Sequence, residues 1–180
     1  MSTRVMPFRG SVTSREQVSV YEFSWPAIIL IPLIAVLMQI FIPVKVRFLP
    51  IISLPFLVTI FFATARRNPI SGCLTGCFIG LLQDLFAGYN HPLGMYGISL
   101  TVVGFLASSL GVKIDVDNPG SRFLITFGFF GVEEAVYYGV AHGLLRQAVQ
   151  WNWSHLAISA LANAIIGIFV FRFLDRFKER

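Results

Sequence analysis

The sequence predicts an all-α integral membrane protein, built as a six-helix transmembrane bundle. Of its 180 residues, 56% are hydrophobic and only 13% are charged, whereas about a quarter of the residues in a soluble domain are charged. The apolar residues gather in six segments, each long enough to cross a bilayer: 26–42, 48–64, 70–87, 93–112, 123–145 and 156–174. These segments fill most of the chain, so a large soluble catalytic domain is excluded.

The basic residues predict how this bundle is oriented. If the six segments alternate in direction, eleven of the 14 Lys and Arg residues fall on one side and three on the other. Positive charge is enriched in cytoplasmic loops, so we expect a cytoplasmic N-terminal tail (1–24), a membrane domain (25–174) and a cytoplasmic C-terminal tail (175–180). Trp151 and Trp153 fit an aromatic belt at the opposite interface. The net charge of +5 is then assigned to contact with anionic lipid in the bilayer, and no nucleic acid is expected.

Prolines distinguish the first two segments. Pro32 lies inside the first segment, and Pro50 and Pro55 lie in the second. Proline removes a backbone donor, so we expect kinks or a broken second helix, with neighbouring helices bonding the freed carbonyls. The short link 43–47 predicts that these two segments form an antiparallel hairpin.

The third segment contains a row of small residues that ends in an acid. The glycines are Gly72, Gly76 and Gly80 in the segment, with Gly88 and Gly94 around the turn that follows. The first three recur every fourth residue, so they share one helix face with Asp84. Small residues let membrane helices approach closely, which predicts either helix packing or a partner-binding face. A carboxylate in an apolar segment must face protein or water, so Asp84 is a candidate site residue or an interfacial one.

Polar residues in the last two segments predict a buried seam or pocket. They are Glu133, Glu134, Tyr138, His142, Ser159 and Asn163. A charged glutamate facing lipid would cost about 2.5–3.5 kcal/mol, so the two glutamates are expected to face the bundle or a cavity, or to carry a proton. Helical steps of four lead from Glu134 to Tyr138 and His142, and for this reason Glu134 is the preferred candidate. The seam is interpreted either as structural hydrogen bonding between helices or as a functional site, which would be a binding pocket, a partner-facing acid or a proton path.

No cofactor or metal site is predicted. The two cysteines, Cys73 and Cys77, lie four residues apart in an apolar segment, which matches neither a redox nor a zinc pattern. The acidic turn 115–120 has a proline where a calcium loop needs a ligand, and no glutamate closes it.

The run GLLQDLFAG at residues 80–88, followed by Pro92-Leu93-Gly94 and a helix ending in Gly104-Phe105-Leu106, resembles the MreD family of rod shape-determining proteins. This resemblance implies a non-enzymatic scaffold of the cell-elongation and peptidoglycan-synthesis machinery in the bacterial inner membrane. It implies MreC as a partner, RodA and a class B penicillin-binding protein directly or through MreC, and the MreB filament on the cytoplasmic side. The family is also similar in fold to the substrate-binding subunits of energy-coupling-factor transporters.

Two other functions stay open at this point. A vitamin-transporter subunit would hold its ligand with converging polar and aromatic groups, for which the candidates are Tyr89, Asn90, His91, Tyr138 and His142. An intramembrane protease of the CAAX-processing type begins its motifs with a Glu-Glu pair. Here the pair 133–134 lacks the following arginine and a complete histidine set, so this is the weaker alternative.

Overall fold

The computed structural model describes residues 25–41, 51–88, 92–111, 114, 118–146 and 151–177, and these ranges contain six α-helices. They are α1 (Trp25–Phe41), α2 (Leu54–Arg66), α3 (Pro69–Phe86), α4 (Met95–Gly111), α5 (Pro119–Gly139) and α6 (Trp153–Leu174). A π-helical turn, Val140–Leu144, extends α5, and a 3-10 turn, Asp175–Phe177, follows α6. The N-terminal tail, the link 43–47 and residues 115–117 of the turn 115–120 lie outside the described residues. So do three of the pocket candidates, Tyr89, Asn90 and His91.

Helix α2 lies at the centre of the bundle. It contacts each of the other five helices, and every residue from Pro55 to Ala65 is buried. Its 13 residues span about 20 Å at 1.5 Å per residue, less than the ~30 Å of a hydrocarbon core. A helix surrounded on all sides is apolar all round, and the two buried threonines of α2, Thr59 and Thr64, bond the backbone carbonyls of Pro55 and Ile60.

Pro55 lies at the start of the second helix and does not interrupt it, and Pro50 lies outside the described residues. The second segment was expected from residue 48, but α2 begins at Leu54. Pro55 therefore lies in the first turn, where its missing N–H has no intrahelical partner to lose. Helix α1 continues through Pro32.

The surface of the bundle is that of a helical membrane protein. Three helical stretches are long and apolar enough to cross a membrane, Pro69–Phe86, Pro119–Leu144 and Trp153–Phe177, while α1, α2 and α4 are shorter apolar helices. Large apolar side chains are exposed along the outer helices, among them Leu74, Leu85, Leu124 and Phe169. So much exposed apolar surface suits lipid and not water. Six complete spans and the similarity to transporter subunits stay predictions.

Basic residues and helix ends gather at one end of the bundle. Arg66 ends α2, and a Cβ added to Gly111 at the end of α4 would lie 3.0 Å from the Thr64 carbonyl oxygen of α2. Arg122 in the first turn of α5 forms a 2.7 Å ion pair with Asp175, just after α6. These are the ends that the charge count assigned to the cytoplasm, and the side of the membrane on which they lie stays a prediction.

Candidate functional site

The glycine row of α3 lies directly against α4. A Cβ added at Gly76 would overlap the backbone carbonyl of Leu100, and one at Gly80 would overlap the backbone carbonyl of Tyr96. Gly72 approaches α4 two turns further along the same contact. Only hydrogen fits between the two backbones, which is how small residues hold helices together in lipid. The row is therefore covered by α4, and it offers no free face to a partner helix.

Asp84 caps the N-terminus of α4. Its side chain is 2% exposed, and Oδ2 accepts the N–H groups of Gly94 and Gly97, each at 2.9 Å. Its Oδ1 accepts the N–H of Tyr96 at 3.1 Å. The first N–H groups of a helix have no intrahelical partners, and a negative charge is favoured at that end of the helix dipole. In this structure the acid in the apolar segment is held by three backbone donors.

Three other helices, α3, α5 and α6, are capped by the residue that precedes them. Asparagines precede α3, α5 and α6 and accept their first N–H groups: Asn68, Asn118 and Asn152. Helix α4 follows Gly94, which has a φ of +100° and no side chain to offer. Gly88, at the other side of the turn, has a φ of +94°, so both glycines of this turn adopt the left-handed conformation that favours glycine. The residue that caps α4 therefore belongs to α3. The close contact at the glycine row brings the start of α4 within hydrogen-bonding distance of Asp84.

The N-terminus of α2 is also capped from other helices. Asn163 of α6, which is fully buried, accepts the Ser53 N–H and donates to the Ile51 carbonyl, both at 2.8 Å. Gln39 of α1 accepts the Leu54 N–H at 3.0 Å. Asn163 lies about 15 Å along α6 from the first residue of that helix, so α2 begins near mid-height of α6. Backbone groups at such a depth must be bonded within the protein.

The polar seam expected between α5 and α6 is not one continuous row. Asn163 faces the start of α2, and Glu133 points into the interior with 3% exposure. Glu134 lies with Tyr138 in the wall of a cavity, and His142 is exposed beyond it. Two causes separate these residues. Adjacent glutamates point about 100° apart on a helix, and the π-helical turn that starts at Val140 changes the register of the last turn.

The cavity lies where α5 ends and α6 begins, and it has a volume of about 240 Å³. Its wall is formed by Glu134, Tyr137, Tyr138, Trp151, Asn152, His155 and Leu156. The Tyr138 ring stacks on His142 at 5.6 Å and meets Trp151 edge-on at 5.1 Å. Trp151 in turn meets Trp153 at 5.2 Å. Trp151 and Trp153, the residues expected to form an aromatic belt, therefore belong to one connected aromatic cluster with Tyr138 and His142.

Sequence reasoning missed two polar contacts. Gln39 was passed over in an apolar segment, although a lone amide there is itself a signal that a buried backbone group needs a partner. Arg122 was counted only for topology, yet it is 8% exposed, bonds Asp175 and lies 5.8 Å from the centre of the Phe171 ring. Within the described ranges, no group of three or more His, Cys, Asp or Glu residues is placed to hold a metal ion.

Comparison with protein-family models gives a match over nearly the whole chain. A family model described as rod shape-determining protein MreD matches residues 20–177, nearly the whole chain. Searches of curated proteins and of solved structures gave no significant match.

Proposed function

The chain belongs to the MreD family of rod shape-determining proteins, and from this premise we propose that it is a non-enzymatic membrane scaffold of the cell-elongation complex. Family membership implies involvement in rod shape determination. In the proposal, the bundle docks MreC and, directly or through MreC, RodA with its class B penicillin-binding protein. The MreB filament lies on the cytoplasmic side. The six helices form one membrane domain in the bacterial inner membrane, with both termini in the cytoplasm.

The observation that supports this proposal is that α3 packs tightly on α4 with one face and exposes the opposite face. One face of α3 is fixed to α4 by backbone contact at three glycines and by the Asp84 cap. Its opposite face carries a row of large apolar side chains exposed on the surface: Ile70, Leu74, Phe78, Leu81 and Leu85. We call these five residues the outer row of α3. Because its other face is occupied by α4, the outer row replaces the glycine row as the proposed docking face.

The outer row matches a single membrane helix in size. Its members are spaced three or four residues apart, so they form one stripe, and from Ile70 to Leu85 the stripe runs about 22 Å along the helix axis. This covers most of a ~30 Å hydrocarbon core. We therefore assign the row to the membrane helix of MreC. Helices in lipid associate through shape fit, and a docking face that is already rigid loses less conformational entropy on binding.

Site-specific photo-crosslinking in the native membrane tests this assignment. A benzophenone side chain would replace Leu74, which is 66% exposed on α3, and in a matched control it would replace Phe169, which is 69% exposed on α6. The proposal predicts an adduct with MreC from Leu74 and none from Phe169. Equal adducts from both positions would contradict the docking face. Absence of MreC from every adduct along the outer row would contradict MreC as its occupant.

A vitamin-transporter subunit is the second candidate, and the cavity beside Glu134 favours it. Polar and aromatic side chains converge there, as they do in small-molecule sites. Its volume of about 240 Å³ is below the roughly 300–1,000 Å³ of pockets for drug-sized ligands, so a vitamin fits less well than a smaller group. Titration of candidate vitamins against the purified protein tests this function, and a linear signal without saturation would remove it.

A further inference from the structure

The cavity between α5 and α6 contains two polar groups that an internal packing role does not explain. Glu134 places a carboxylate in its wall. The indole N–H of Trp151, also in the wall, is buried and has no hydrogen-bond acceptor among the described residues. A buried donor without an acceptor is rare in native proteins and calls for an explanation. An acid and an unmatched donor in one cavity indicate a ligand that brings a positive charge and an acceptor oxygen.

The aromatic side chains of the wall indicate which kind of positively charged group the cavity would bind. Tyr137, Tyr138 and Trp151 line the cavity together with Glu134, and Tyr138 and Trp151 are held edge-on at 5.1 Å. Aromatic faces attract ammonium groups, more strongly where water is excluded. A carboxylate beside such faces adds a counter-charge and a hydrogen-bond acceptor. This combination is suited to a primary ammonium group.

The position of the cavity indicates where such a group comes from. Trp151 lies in the wall of the cavity, and it contacts Trp153, the first residue of α6. Tryptophans at a span end lie at the level of the lipid headgroups. We propose that the cavity binds the phosphoethanolamine headgroup of a membrane lipid. Its ammonium group lies against Glu134 and the aromatic wall, and a phosphate oxygen accepts from the Trp151 indole N–H. The volume of about 240 Å³ suits a headgroup of a few atoms.

Two other polar residues of the wall bear on this site. The Asn152 side-chain oxygen already accepts the N–H groups of Ser154 and His155, so it is committed to capping α6. His155 is the basic side chain among the residues of the wall, and it is exposed. If protonated, it would neutralise Glu134 without any ligand, so a His155→Gln variant is needed to separate the two cases.

Tryptophan fluorescence can report binding in the cavity, because Trp151 lies in its wall and the chain has only two other tryptophans. Replacing Trp25 and Trp153 by Phe leaves Trp151 in the cavity wall as the sole tryptophan, which is excited selectively at wavelengths where tyrosine does not absorb. The full-length protein in detergent micelles would be titrated with phosphatidylethanolamine, with phosphatidylglycerol, which lacks the ammonium group, and with soluble O-phosphoethanolamine. We expect a saturable change of Trp151 fluorescence with phosphatidylethanolamine, about ten-fold weaker binding of phosphatidylglycerol, and the weakest binding for the soluble headgroup.

Variants of the wall complete the test. Glu134→Gln keeps the shape of the side chain and removes its charge, and it should weaken phosphatidylethanolamine binding about ten-fold. Tyr138→Leu removes one aromatic face and tests the same site if Glu134→Gln does not fold. His155→Gln and a lipid-facing control, Phe169→Leu, should retain binding. Equal affinity for the two lipids, unchanged binding in Glu134→Gln or loss of binding in His155→Gln would overturn ammonium recognition. Tighter binding of soluble O-phosphoethanolamine than of the lipid would overturn the lipid source.

Discussion

Replacing Gly76 by alanine tests the backbone contact between α3 and α4 with the smallest possible change. The added Cβ would overlap the Leu100 carbonyl oxygen and carbon and would lie 3.1 Å from the Thr101 nitrogen. All three atoms belong to the α4 backbone, so no side chain can rotate out of the way. Relief requires the two helices to separate by roughly 1 Å or more, since carbon atoms pack at about 3.5–4.0 Å.

The expected size of the effect is the balance of two opposing terms. Overpacking a well-packed site costs about 1–3 kcal/mol, and an overlap with backbone on α4 places Gly76 at the upper end of that range. Alanine has a better helix propensity than glycine by about 1 kcal/mol. The free energy of unfolding should therefore fall by about 2 kcal/mol. The separation would also lengthen the bonds from Asp84 to the α4 N–H groups, which now measure 2.9–3.1 Å.

Gly131 of α5 provides the matched control. It is a helical glycine whose added Cβ would meet no atom within 4 Å, so Gly131→Ala gains helix propensity without a clash. Unfolding by dodecyl sulfate, followed by circular dichroism, would compare both variants with the wild type. Gly131→Ala should be as stable as the wild type or more stable. A Gly76→Ala protein as stable as Gly131→Ala would refute the close approach of the two helices.

Three further changes test the imported caps and the ion pair by the same unfolding assay. Asp84→Ala leaves three N–H groups at the start of α4 without their acceptor and should lower the free energy of unfolding by about 3 kcal/mol. Asp84→Asn should lie between that variant and the wild type, and equal stability of Asp84→Ala and the wild type would exclude the capping role. Asn163→Leu should speed hydrogen exchange of the Ser53 amide more than that of amides in α3, and uniform exchange would count against the local cap. Arg122→Ala and Asp175→Asn, combined in a double-mutant cycle, should show a coupling of about 1 kcal/mol for this partly buried pair, and additive effects would mean that the pair contributes nothing.

Residue patterns within the third segment predicted which of its residues are important, but not which helix they contact. The four-residue spacing of the glycines predicted a close helix contact, and Asp84 stood out because a carboxylate is costly in an apolar segment. The sequence could not show that the glycine row and Asp84 together fix α3 to the same neighbour, helix α4. That connection depends on α4 starting at a glycine that has no capping side chain, which emerges only when the two helices are brought together.

The contacts that sequence reasoning missed or misplaced all join residues far apart in the chain. Asn163 was paired with the polar row of α5 because both repeat every fourth residue, but it bonds the backbone of residues 51 and 53, more than 100 residues away. The row on α5 was extended through His142 on the assumption of a regular helix, and the π-helical turn Val140–Leu144 breaks that register. Helical periodicity gives the face of a residue but not the helix that covers that face.

We propose that this chain is a scaffold of the cell-elongation complex. Identifying the proteins that bind it tests that proposal most directly. Tagged protein would be purified from its native membrane in mild detergent, and the co-purifying proteins would be quantified by mass spectrometry against a mock purification. If the protein is this scaffold, we expect enrichment of MreC together with RodA and a class B penicillin-binding protein. Enrichment of paired ATPases with a coupling subunit, and no MreC, would contradict the proposal and would make the protein a transport subunit.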